Sequence, residues 1–192
     1  MIAGHFGLAA AVKWRERQAP LWALMLATVW LDIIFVPLFL MGVETIQPVP
    51  GTHGGYGAVI IHADYTHSLV IALGISAIFG GVAAVWWGRR TGFVLGAVVF
   101  SHWLLDLVVH RADMPILPGS QGTLPRLGLG LWQLPKAVML VELTLVIAGA
   151  WLYWRAARQT AASVPSLRGR ANLAGILVLV FGVTVLVVDV LG

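Results

Sequence analysis

Five apolar stretches, at about residues 21–43, 60–88, 92–111, 134–154 and 172–191, constrain this chain more than any other feature. Each is close to or above the roughly 20 residues that a helix needs to cross about 30 Å of hydrocarbon. They occupy most of a 192-residue chain in which 59% of residues are hydrophobic and only 10% charged, outside the range of soluble domains. The expectation is an all-α fold: a polytopic membrane helical bundle of about five transmembrane helices in one domain, residues 1–192. Residues 2–12 are apolar but too short to span, which predicts a short N-terminal half-helix lying at the interface or dipping inward. Their charges follow the apolar stretch, the reverse of a signal peptide, so the segment is expected to be retained.

The net charge of +4 reports topology rather than nucleic-acid binding. Lys13, Arg15, Arg17, Arg89, Arg90, Arg155, Arg158, Arg168 and Arg170 fall on one side of the expected spans, and Arg111, Arg126 and Lys136 on the other. The positive-inside rule then puts the N-terminus in the cytoplasm and the loops 44–59 and 112–133 outside. The loop 112–133 is rich in Pro and Gly yet carries Met114, Ile116, Leu117, Leu124, Leu127, Leu129, Leu131 and Trp132, a pattern predicting a lid folded back over the bundle. Pro37 is expected to kink the first span. Trp14, Trp22, Trp86, Trp87, Trp151 and Trp154 lie near span ends, where an aromatic belt anchors helices.

Within this apolar background, SHWLLDLVVHR places His102, Asp106 and His110 on one helix face, because residues four apart stack. Counting about 1.5 Å per residue from the outer end of each helix puts Asp32, His67, His102 and Glu142 about 10 to 17 Å below the surface. Asp64 and Asp106 lie nearer the exit, and His62 and His110 at the rim. Asp32, Asp106 and Glu142 at such depth cost about 2.5–3.5 kcal/mol each, together on the order of 8–10 kcal/mol. A divalent ion can offset this, since structural zinc sites contribute roughly 10–16 kcal/mol, and protonating the carboxyl groups or hydrogen-bonding them to the histidines would also serve. With no cysteine in the chain, thiolate and disulfide chemistry are excluded and any ligands are His, Asp or Glu. That donor set suits zinc, manganese or iron. His102 and Asp106, about 6 Å apart along the axis, can grip one ion, whereas His110, about 12 Å from His102, is too far to share it and is open to binding a second metal through Asp106, exchanging protons or guarding the mouth; Asp64 is a second candidate for proton exchange.

Two functions fit such a layer. One is a metal-dependent hydrolase at the outer side of the membrane acting on a lipid-linked or phosphorylated amphiphile. The other is a small transporter or proton relay, against which the cytoplasmic half offers only Thr28, Ser76 and Thr144. Bis-histidine haem ligation by His67 and His102 is a third option that leaves the neighbouring Asp residues without a role. Membrane lipid is the expected surrounding in each case, and the oligomeric state is open.

The segments GH at 4–5, LD at 31–32, HADYTHSL at 62–69 and SHWLLD at 101–106 resemble, in order, the motifs of the LexA-regulated inner-membrane metal-dependent hydrolases. That family shows an N-terminal Gly-His, a Pro-Asp-x-Asp-His segment, a His-Arg-Gly-x-Thr-His-Ser segment and a Ser-His-x-x-x-Asp helix. The resemblance implies an inner-membrane location, hydrolase activity, and His5, Asp32, His62, His67, His102 and Asp106 as metal-site residues. Here Asp32 is followed by IIFVP instead of x-Asp-His, and Ala63 and Asp64 stand in place of Arg-Gly.

Overall fold

A computed structural model describes residues 1–52, 54–120 and 124–191 of the chain. Helix α1 (Ile2–Val12) is followed by α2 (Leu21–Thr28) and α3 (Trp30–Leu40), a two-stranded antiparallel hairpin of β1 (Thr45–Pro48) and β2 (Val59–His62), then α4 (Leu69–Val109), α5 (Pro135–Thr160) and α6 (Arg168–Leu191). Three of these helices are long and apolar enough to cross a membrane, four spans if the bent pair α2–α3 counts as one. Their outward faces are apolar throughout, with Ile78, Val82, Val85, Phe93, Leu173, Ile176 and Val188 among the exposed side chains. Water penalises such a surface and a bilayer requires it.

The 41-residue α4 is not straight. Gly88 takes φ +82°, and a Cβ at Gly80 would lie 2.8 Å from the Gly92 carbonyl oxygen, with one at Gly96 equally close to that of Ser76. In a continuous helix residues 80 and 96 would be about 24 Å apart. The run therefore doubles back at Gly88 into two legs, 69–87 and 89–109, packed backbone to backbone along small residues. This matches the boundary expected between the second and third apolar stretches.

Three expectations change. The fold is not purely helical: the β-branched run Val59-Ile60-Ile61 pairs with Thr45–Pro48 instead of extending the next helix, which begins at Leu69 rather than residue 60. The break in the first apolar stretch lies at Val29 (φ −114°, ψ 16°), where α2 and α3 bend by 48°, and not at Pro37, which sits inside α3. Finally, α1 is buried within the bundle. Its Gly7 rests on α5, where a Cβ would meet the Leu145 carbonyl at 2.6 Å.

Basic residues of the N-terminal segment and of α5 gather at one end. Arg17 donates to Gln159 at 2.9 Å, Arg155 lies 5.0 Å from the Trp14 ring centre and 4.8 Å from that of Trp151, and Thr91 donates to Glu16 at 3.2 Å. At the opposite end the loop after α4 does return over the bundle. Met114 is buried, bridges to Leu127, and the carbonyls of Pro115 and Ile116 accept the first N–H groups of α4. Leu117, Leu124 and Leu129, the last at 74% exposure, are side chains of that loop that stay exposed.

Candidate metal centre

The i, i+4 spacing on the second leg of α4 brings His102 Nε2 to 3.0 Å from Asp106 Oδ2. His67, in the turn that precedes α4, lies with Nε2 at 3.3 Å from His102 Nε2 and 3.5 Å from Asp106 Oδ2. Asp32, in the first turn of α3, places Oδ1 at 3.4 Å from His102 Nε2 and 3.5 Å from His67 Nε2. His5 of α1 reaches Asp106 Oδ1 at 3.2 Å. His5, His67, His102 and Asp106 are all buried, while 39% of the Asp32 side chain is exposed. Two groups, His5/His102/Asp106 and Asp32/His67/His102, are each close enough to hold a metal ion. The 3.0–3.5 Å spacings approach the roughly 3.3–3.6 Å between ligands set 2.0–2.2 Å from a tetrahedral ion.

Hydrogen bonding behind the two rings decides what they present to this space. His102 Nδ1 lies 2.8 Å from the Thr28 carbonyl, which can only accept, so Nδ1 carries a proton and, in the neutral ring, Nε2 bears the lone pair. The break at Val29 ends α2 at Thr28 and leaves that carbonyl to His102. His67 Nδ1 lies 2.9 Å from Thr66 Oγ1, whose own hydroxyl donates to Glu44 Oε2 at 2.9 Å. An ionised Glu44 only accepts, so Thr66 must take its second bond from His67 Nδ1–H, and His67 Nε2 also bears a lone pair. With both rings neutral, two imidazole lone pairs and two carboxylate oxygens converge here. Such a set can hold a metal ion, and imidazole held by an outer carboxylate or carbonyl is how proteins orient metal ligands.

The other expected site residues stand elsewhere. His62 ends β2 opposite Thr45, held away by strand pairing. Asp64 forms an ion pair with Arg126 at 2.9 Å. Glu142, fully buried on α5, accepts the Gly4 N–H at 3.2 Å and the Tyr56 hydroxyl, so it serves the start of α1 and not the cluster. Burial, together with this carboxylate, pushes the Tyr56 hydroxyl well above its ordinary pKa. His110, just past α4, faces the same space from one side: its Nδ1 lies 3.0 Å from Asp113 Oδ1 and its ring 4.2 Å from that of Trp132.

A cavity of about 340 Å³ joins these parts, lined by His5, Asp32, His67, His102, Asp106 and His110 and walled by apolar side chains. Glu44, Thr66, Tyr56 and Asp189 escaped the sequence analysis as site residues, and Thr28, assigned there to the cytoplasmic half, abuts His102 and His5 instead. Thr66 carried a signal, standing next to His67, but Glu44 is 22 positions away and Asp189 reads as solvated until it is seen accepting the Ala3 N–H at 2.9 Å. The 3.3 Å between His67 and His102 leaves no room for a haem macrocycle between the rings. Toward the basic end, Ser76 and Thr144 turn their hydroxyls to carbonyls of their own helices. No family model, no curated protein and no solved structure matches the chain.

Proposed function

We propose that the protein is a metal-dependent hydrolase embedded in the bacterial inner membrane, acting on an amphiphile dissolved in the outer leaflet. The observation that carries this reading is the convergence of His67, His102, Asp32 and Asp106 within 3.0–3.5 Å contacts, facing a cavity large enough for a small substrate. The ordered motifs shared with the LexA-regulated family support it, five of whose six implied residues meet at this point. Zinc fits the mixed imidazole and carboxylate donors, with manganese or iron as alternatives. The proposal takes five crossings, counting both legs of α4 and the bent α2–α3 pair, with the basic end cytoplasmic.

His67, His102, Asp32 and Asp106 would hold the ion, which supplies a Lewis acid and brings the pKa of water toward about 7. Thr28 and the Glu44–Thr66 pair keep the two imidazoles in the liganding tautomer. His5 steadies Asp106 through Oδ1. His110, oriented through Nδ1 by Asp113, presents its other nitrogen for proton exchange with substrate, the arrangement by which a carboxylate positions a general base.

Elemental analysis of purified protein tests the reading. The wild type should carry a stoichiometric first-row metal that His102→Ala and Asp106→Asn lack. Equal metal in all three proteins would remove the basis of the proposal, and bound metal accompanied by ion flux in liposomes would favour transport.

A further inference from the structure

The cavity's charge and its open side define what it can admit. Three carboxylates line it, Asp32, Asp106 and Asp189, and no lysine or arginine does among the described residues. The nearby arginines of the outer end are engaged otherwise: Arg111 donates to the Gly57 carbonyl at 2.7 Å, and Arg126 pairs with Asp64 and donates to the Asp113 carbonyl at 2.7 Å. One divalent ion balances two of the three carboxylates. A phosphate group, carrying about −1.5 to −2 charges, would then face an unbalanced carboxylate with no guanidinium to clamp it, the α-amino group of Met1 being the one ammonium carried by a lining residue. An uncharged carbonyl meets no such penalty.

The open side faces apolar surface. The cavity runs between α3, through Asp32, Phe35 and Val36, and the facing ends of α1 and α6, through Ile2, His5 and Asp189. Helix α3 packs chiefly on α4 and α2, leaving its other flank without a neighbouring helix. Along that gap Val36, which lines the cavity, is 51% exposed. The hairpin covers the top, with Ile46, Val59 and Ile61 over the cavity and the loop at Gly55 touching the end of α6 at Val190. A slot closed above by an apolar roof and open sideways between two helices admits a molecule already dissolved in lipid.

We propose that the substrate is an uncharged carboxylic ester or amide bearing one long apolar chain, which enters from the bilayer between α3 and α6 and places its carbonyl beside the cluster beneath the β-hairpin. This rests on the hydrolase reading above. In the reaction the oxygen of one water bonds to the carbonyl carbon, the C–O or C–N bond breaks, and a water proton passes to the departing alcohol or amine. The products are a carboxylic acid and a neutral leaving group, with no oxidant or reductant required.

The test uses purified, zinc-loaded full-length protein in detergent with two probes of equal chain, monooleoylglycerol and oleyl phosphate, following oleate and inorganic phosphate. Oleate release should be zinc-dependent and lost in His102→Ala, with phosphate release at least about tenfold slower. Val36→Trp should lower the preference for oleoyl over acetyl esters about tenfold or more by narrowing the slot. In the metal-free protein the new tryptophan should be quenched by dibrominated monooleoylglycerol beyond the wild-type signal. Faster phosphate than oleate release would overturn the uncharged substrate while leaving a hydrolase. No added quenching at position 36 would overturn the lateral entrance. Cleavage of neither probe by zinc-loaded protein would defeat the hydrolase reading and this inference with it.

Discussion

His5 lies flat against His102, with ring centres 4.0 Å apart and planes 11° from parallel. Because His102 is also pinned through Nδ1, the stack leaves its ring one orientation, with Nε2 toward Asp32 and Asp106. His5 contributes in two separable ways, by the stack and by the bond from its Nε2 to Asp106. His5→Phe keeps the stack and loses the bond; His5→Ala loses both. Competition with a chromophoric chelator should show metal affinity falling about 10–100-fold for His5→Ala and less for His5→Phe. Equal affinity in both variants and wild type would show that α1 has no part in the centre.

Thr66→Val isolates the tautomer argument, since it removes a hydroxyl at nearly constant volume. The variant leaves His67 Nδ1–H without its acceptor and Glu44 without one of three donors, the other two being the N–H groups of Tyr65 and Thr66. Metal affinity should fall about 10–100-fold, the cost usual for losing an outer partner of a liganding histidine. Histidine nitrogen NMR of the metal-free protein provides the check: in wild type the proton of His67 sits on Nδ1, and in Thr66→Val the two tautomers should mix.

The layer of polar side chains was legible because charge inside an apolar helix is costly enough to demand a partner, and because rise per residue converts position into depth. Asp32 and His102 meet as that count requires, Asp106 joins them from one turn nearer the exit on the face of His102, and His67 arrives from the turn before α4 and not from within a helix. Glu142 shares their depth and faces another way, toward Gly4 and Tyr56, since height says nothing about rotation within a bundle. His62 and His67 are five residues apart in one motif, and only strand pairing at Thr45 separates them. The hairpin itself was hidden because Val59-Ile60-Ile61 suits a buried strand as well as a helix. The break at Val29 leaves no trace in sequence, where Pro37 is the conspicuous candidate, and it is tertiary bonding, from Thr28 to His102 and to His5, that marks it.

Acid should strip the centre. A protonated imidazole has no lone pair to give, so binding an ion to His67 and His102 requires both to be neutral, and affinity falls as pH drops and protons compete for the same nitrogens. Because the ion binds the folded state, its loss removes stability by RT ln(1 + [L]/Kd), about 2.7 kcal/mol for ligand at a hundred times Kd. A thermal melt of zinc-loaded protein should therefore exceed that of the EDTA-treated protein at pH 7.5 and converge with it by about pH 5. A gap that stays constant with pH would mean that histidine is not among the ligands.

The packing of α1 against α5 gives a test of structure apart from chemistry. A Cβ at Gly7 would lie 2.6 Å from both the carbonyl carbon and oxygen of Leu145, atoms that cannot retreat without moving α5, whereas one at Gly74 would meet nothing within 4 Å. Gly7→Ala should cost about 1–3 kcal/mol as α1 is pushed outward, the usual scale for overpacking. His5 lies half a turn from Gly7 on the same short helix, so the displacement also carries its ring off His102 and weakens metal binding. Gly74→Ala should leave both melting temperature and metal content within error of wild type. Should Gly7→Ala retain full metal while losing stability, His5 would be a packing residue whose contact with His102 has no consequence for the ion.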